Sequence, residues 1–289
     1  MGNEASVSGM DMHIKGADGL QISATGNEGT FKSNLTLADL GESVASKDEI
    51  LPVSTTGDVT NGKLTFYLGS LEDETLYAQK DEANYICFDV YVKVAAGKTL
   101  YLDEGSVVEM AEGDDKETHL ATRVAFVYVG HATTASHAMN KTVNSSTDPE
   151  NPNGSWKSVN EVMIWEPNAL IRSVAAKNAG VTNDGQKVDY QGINDLSPSG
   201  ERSIATFKDE DEEGAYVETF APAQNAAGET TAAQKLFDLE EGYNVIRVYI
   251  WLEGQDVDCL NEISNGTFEV VLNFKQEATT PTSGEGDNN

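Results

Sequence analysis

Two groups of acidic side chains hold most of the chemistry that this sequence offers. Asp209-Glu210-Asp211-Glu212-Glu213 is a run of five carboxylates closed by Gly214. Carboxylate oxygens suit a hard cation such as Ca2+, with Asp209, Asp211 and Glu213 at alternate positions as candidate ligands. The run lacks the internal glycine turn and distant bidentate acid of a calcium loop, so a solvated, self-repelling loop is its default reading. Glu253, Asp256 and Asp258 form the second group, just before Cys259. Asp256 and Asp258 could hold one cation, or they could accept hydrogen bonds from backbone amides in a tight turn. No cofactor is expected, and Ca2+ is the one ion for which these acids offer ligands.

The four imidazoles are His13, His119, His131 and His137. His131 and His137 stand six residues apart in a polar stretch, without the i, i+4 helical spacing or adjacent glutamate of a zinc protease. The sequence contains no Gly-x-Ser-x-Gly elbow, glycine-rich phosphate loop or dinucleotide fingerprint. A non-enzymatic role is therefore expected, and a carboxylate-pair glycosidase is the enzyme class that the acids leave open. Of the three tryptophans, Trp165 and Trp251 fall in strand-like segments and read as core. Trp156 lies in a polar excursion and reads as the exposed contact for a ligand such as a glycan.

The elements that must position these groups are strands. In Tyr243 to Leu252, residues Ile246, Val248, Ile250 and Leu252 share one face, while Val245, Arg247, Tyr249 and Trp251 share the other. In Phe268 to Phe274 the apolar face is Phe268, Val270, Leu272 and Phe274. These two strands are expected to face each other across a turn marked by Asn265-Gly266. Earlier, Val7 to Ile14 alternates at Met10, Met12 and Ile14, and Leu20 to Ala24 follows after Gly16-Ala17-Asp18-Gly19, which suggests a first hairpin. Asn61-Gly62 delivers a strand over Leu64 to Leu68, Tyr85 to Val94 alternates along its length, and Leu120 to Val129 is apolar on both faces, as in a central strand. Leu35 to Leu40 reads as a helical turn or a loop, and Ala169 to Gly180 as a short helix stopped by glycine.

About ten strands joined by turns predict an all-β fold, an antiparallel β-sandwich of jelly-roll type with long polar insertions at 131–158 and 192–235. One domain over 1–276 and a disordered acidic tail over 277–289 are expected. The 289 residues carry 48 acidic against 19 basic side chains, a formal charge of -29. Such a charge repels phosphate backbones and anionic lipid, so nucleic acid is not expected as a partner. No apolar run is long enough for a membrane-spanning helix, and membrane insertion is not expected. Met1 to Ser6 lacks the basic and apolar regions of a signal peptide, which fits a mature terminus or a protein that is never exported by that route. Cys87 and Cys259 either form a disulfide, worth ~5 kcal/mol in the loop-entropy model, or remain two separate thiols.

Gly19-Leu20-Gln21-Ile22-Ser23, Arg123-Val124-Ala125-Phe126, Trp165-Glu166-Pro167-Asn168 and, most of all, Arg247 to Cys259 resemble a group of secreted Gram-positive proteins. These are the camelysin and biofilm-fibre proteins exported with a dedicated signal peptidase. The resemblance implies a jelly-roll-like sandwich that polymerises by donating an N-terminal strand to the next subunit. On this chain the strand would be Val7, Met10, Met12 and Ile14. No catalytic motif accompanies it. The expected role is a structural subunit, extracellular or at the cell surface, joining copies of itself or other structural subunits through sheet edges. A virion surface protein fits the same features, and a glycan-binding or adhesive module is the alternative.

Overall fold

The computed structural model describes residues 7–41, 44, 50–67, 84–141, 156–180, 219–254, 256 and 258–278. Alternating β-branched and aromatic residues build fourteen strands among them. In chain order these are β1(Val7–Gly16), β2(Gln21–Ser23), β3(Asn34–Thr36), β4(Ser54–Thr60), β5(Lys63–Tyr67), β6(Ile86–Val94) and β7(Lys98–Leu102). They continue with β8(Val107–Met110), β9(Thr122–Ala132), β10(Lys157–Trp165), β11(Thr219–Phe220), β12(Gln234–Leu239), β13(Gly242–Leu252) and β14(Gly266–Ala278). Two short helices accompany them, α1(Ala135–Asn140) and α2(Val174–Asn178). The all-β expectation holds.

The first sheet runs β12-β7-β14-β1-β3, with β8 also paired to β14; the second runs β11-β10-β9-β13-β6-β2. The β4–β5 hairpin stands apart as a third unit. Both large sheets are mixed rather than purely antiparallel, because β1 runs parallel to β14 and β10 parallel to β11. Parallel neighbours need a long connection, and here nearly the whole chain separates β1 from β14. The expected first hairpin is also absent: β1 belongs to the first sheet, whereas β2 pairs with β6 in the second. Asp18 and Gly19, both at positive φ, turn the chain between them.

One core lies between the two sheets. It collects Ile246, Val248, Ile250 and Leu252 of β13, Phe268, Val270, Leu272 and Phe274 of β14, and Met12 and Ile14 of β1. The strands β13 and β14 thus face each other across this core, in different sheets rather than as paired neighbours. A second core forms on the outer face of the second sheet, from Val127, Val129, Val245, Tyr249 and Trp251 with Leu64 and Phe66 of the hairpin. β9 is accordingly buried along nearly its whole length, as its doubly apolar sequence predicts. Asn61 and Gly62, both at positive φ, close the β4–β5 hairpin where expected.

Some boundaries differ from the sequence reading. β14 extends to Ala278, two residues into the segment expected as tail, because Glu277 and Ala278 pair with Thr99 and Lys98. The excursion expected from residue 131 begins later, since β9 runs to Ala132 and α1 follows. At Gly130 a Cβ would meet the Lys157 carbonyl oxygen and lie 2.6 Å from Trp156 Cζ2. Gly130→Ala is therefore expected to cost about 2 kcal/mol, read as a lower urea midpoint. Gly29→Ala, with open space around its Cβ, should leave the midpoint within about 0.5 kcal/mol of wild type.

Candidate functional site

The loop that leaves β13 carries the second acidic group, and it folds inward. Glu253, Asp256 and Asp258 are all buried, as are Arg123, Glu166 and Arg172. Arg123, at the start of β9, donates through Nη2 to Glu166 Oε1 at 2.9 Å and also to Asp256. Arg172 Nη1 lies 3.3 Å from Asp258 Oδ2, and the Ser173 amide donates to Asp258 Oδ1 at 2.7 Å. Glu253 accepts from Trp251 Nε1 at 3.1 Å and from the Ser54 hydroxyl, while Thr219 Oγ1 donates to Glu166 at 2.8 Å. The sheet end, the β4 strand and the segment after β10 are thereby tied to one loop. Guanidinium groups occupy the places that a bound cation would take beside Asp256 and Asp258.

This enclosure sets the electrostatics. Burial, with the neighbouring Asp256 charge, pushes the Asp258 carboxyl up to about 6, against the pull of Ser173 and Arg172. A carboxyl that binds its proton more tightly when folded contributes most to stability below its unfolded pKa, about 4. That contribution is lost as pH rises through about 6. Asp258→Asn is expected to flatten this fall between pH 4 and 7 in urea titrations; an unchanged slope would assign it to other groups. Arg123→Met leaves Glu166 and Asp256 buried without their shared cation and is expected to cost about 3–5 kcal/mol.

A different arrangement lies on the seam between the terminal strands. β1 and β14 run in parallel register from Met10↔Phe268 to Gly16↔Phe274, placing Asp11 opposite Glu269. Strand alternation puts Asp11 and His13 on the face opposite Met12 and Ile14, both fully buried. His13 Nε2 lies 3.5 Å from Asp11 Oδ2 and 4.0 Å from Glu269 Oε1. One ligand atom from each of the three lies within 4.8 Å of the others, the single such group of three found among the described residues. Glu109 on β8 stands opposite Glu269. Burial and then the Glu269 and Glu229 charges raise its carboxyl above the usual range.

The other residues singled out from the sequence end up elsewhere. Trp156 is not an exposed contact: it is 4% exposed and packs in the second core. Gly130 allows that approach by having no side chain. Trp165 and Trp251 are fully buried, as expected. Cys87 and Cys259 do not form a disulfide. Cys259 belongs to the core between the sheets, whereas Cys87 packs against the core on the outer face of the second sheet. Burial drives the Cys259 thiol well above its ordinary pKa, which suppresses its reactivity. His131 lies on β9 and His137 on α1, where its Nδ1 and Thr134 Oγ1 are 2.8 Å apart. Asp209, Asp211 and Glu213 lie outside the described residues, as do 279–289 of the expected tail. Within the β1 segment, Met10 is half-buried and Val7 pairs with Gly266.

The Asp11–His13–Glu269 group was not singled out in the sequence. An Asp-x-His pair in an alternating strand does place two ligands on one face, a readable signal. Glu269 joins them only through the register of two strands at opposite ends of the chain. Compared with known family models, curated proteins and solved structures, the chain matches none.

Proposed function

We propose that this chain is a non-enzymatic structural subunit, exposed at an extracellular surface or on a virion, that assembles by lending β1 to a neighbouring copy. The observation that carries the reading is the way β1 is attached. It is the first strand among the described residues, and it pairs in parallel with the last, β14, so that nearly all the intervening chain lies between the two partners. Its exit, Gly16 to Gly19, crosses directly to the other sheet, so a change of path there would carry β1 to a second molecule without disturbing β2. Among the described residues only His13, Ile14 and Lys15 of β1 pair with β3, which leaves Val7 to Met12 hydrogen-bonded on one side. Met12 and Ile14 are completely buried in the core, at about 1.5–3 kcal/mol each. The same contacts formed in trans would repay an exchange.

Simple addition at the sheet edges is less favoured than exchange. β3 has three residues, β2 three and β11 two, and β12 carries Lys235 and Asp238. Short and charged edges resist templated pairing. The resemblance to the biofilm-fibre proteins agrees with strand donation. The glycan-binding alternative loses its chosen aromatic contact, because Trp156 is enclosed.

A disulfide across the seam tests this reading. Lys15 and Asn273 are parallel partners on the outward face, so Lys15→Cys with Asn273→Cys should bridge β1 to β14 within one molecule when the monomer is oxidised. Light scattering and negative-stain microscopy should then show assemblies from the reduced protein and none from the locked monomer. Oxidation after assembly should give covalent ladders on denaturing gels. Assembly by the locked monomer, or a monomer under every condition, would overturn strand exchange.

A further inference from the structure

The seam between β1 and β14 carries a second property that assembly alone does not require. Asp11, His13 and Glu269 bring an imidazole and two carboxylates together on an accessible face, with side chains 61%, 41% and 34% exposed. We propose that Asp11, His13 and Glu269 form a site for a divalent transition ion of the Zn2+ class, which clasps the N-terminal strand to the C-terminal one. The ligand chemistry selects this class. Ca2+ and Mg2+ favour all-oxygen cages, whereas a mixed imidazole and carboxylate set suits Zn2+ with a water in the fourth position.

The geometry is close to what such an ion needs. Metal to ligand bonds of about 2.0–2.1 Å in a tetrahedron set ligand atoms roughly 3.3 Å apart. His13 Nε2 is already 3.5 Å from Asp11 Oδ2. Glu269 must close the remaining gap, a motion open to a part-exposed side chain with three rotatable bonds. The backbone beneath is fixed, since Met12 and Ile14 anchor β1 in the core between and beside the ligands. Asp11 is also aimed in advance: its Oδ1 accepts from the Met12 amide at 2.7 Å, which turns Oδ2 toward His13. Glu109, opposite Glu269, adds negative charge beyond the three ligands, and Lys15 is the basic residue next on the same face of β1.

A plain ion pair between an exposed imidazolium and these acids would contribute little, about 0–1 kcal/mol. A bound metal would instead stabilise the seated strand by an amount that grows with free metal. Two ligands come from β1 and one from β14, so the ion is held only when the two strands are together. The clasp would form with a strand seated in its own sheet. That it would also secure a strand lent by another copy rests on the exchange reading above.

The test is titration of the full-length, chelator-treated chain with Zn2+ at neutral pH by calorimetry, with thermal melts in parallel. One equivalent of Zn2+ is expected, with a rise in Tm. His13→Ala and Glu269→Gln should each weaken that equivalent at least tenfold and abolish the Tm rise. Both side chains are part-exposed, and far-UV circular dichroism checks that each variant folds. Lys15→Ala should bind Zn2+ as wild type does. Zn2+ binding that persists unchanged in His13→Ala, or no binding at all, would overturn the site. A monomer that binds one Zn2+ through these residues would refute only the assembly reading, and an assembling protein without the site would refute only this one.

Discussion

Strand β13 sends Ile246, Val248, Ile250 and Leu252 into one core and Val245, Tyr249 and Trp251 into another, so both of its faces are largely buried. A sheet buried on both sides needs two covers. The first sheet supplies one, and the β4–β5 hairpin, α1 and Trp156 supply the other. Every polar group drawn in with such a strand must find a partner inside, because an unpaired buried charge costs several kcal/mol. Arg247 therefore forks onto Asp89, with bonds of 2.7 and 3.1 Å, and Lys141 approaches the same carboxylate at 2.8 Å. Burial alone would raise the Asp89 carboxyl, but these two cations more than offset it and hold it below its ordinary range. The Tyr249 hydroxyl accepts from the Leu64 amide at 3.1 Å, which ties the covering hairpin to the sheet it covers.

The buried cluster around Asp256 obeys the same requirement at the sheet's end. Where β13 stops, Glu253 stays inside and takes bonds from Trp251 and Ser54, while Arg123 and Arg172 meet the acids that follow. Charges enclosed in this way set the path of a loop, and their hydrogen bonds are spent on one another. The carboxylates on the β1–β14 seam have the opposite character: they are part-exposed, gathered on a rigid face, and contributed by the two ends of the chain. Because two of these side chains stand on β1 and one on β14, an ion bound as proposed would be held only while the two strands are paired.

The parallel pairing of β1 with β14 is the contact that the proposed strand exchange would use in place of the short sheet edges. β2, β3 and β11 are too brief to template a neighbour. In that exchange β1 would make with a copy the same contacts that it makes with its own β14. The balance then depends on the short connector at Gly16 to Gly19 and on whatever holds β1 in place.

The sequence by itself determined the strands and their inward faces. Ile246 to Leu252, Phe268 to Phe274 and the doubly apolar β9 were legible because strand side chains alternate with period two, whatever the partner. Asn61-Gly62 was legible because positive φ has a local residue preference. Partners were not. Whether β1 pairs with β2 or β14, whether Trp156 points to water or into a core, and whether Asp256 meets a metal or Arg123 all depend on residues far along the chain. So does the meeting of Asp11 and His13 with Glu269. Only the tertiary structure decided these, because register and burial follow from how whole sheets share a core, and no local pattern records which distant strand will arrive.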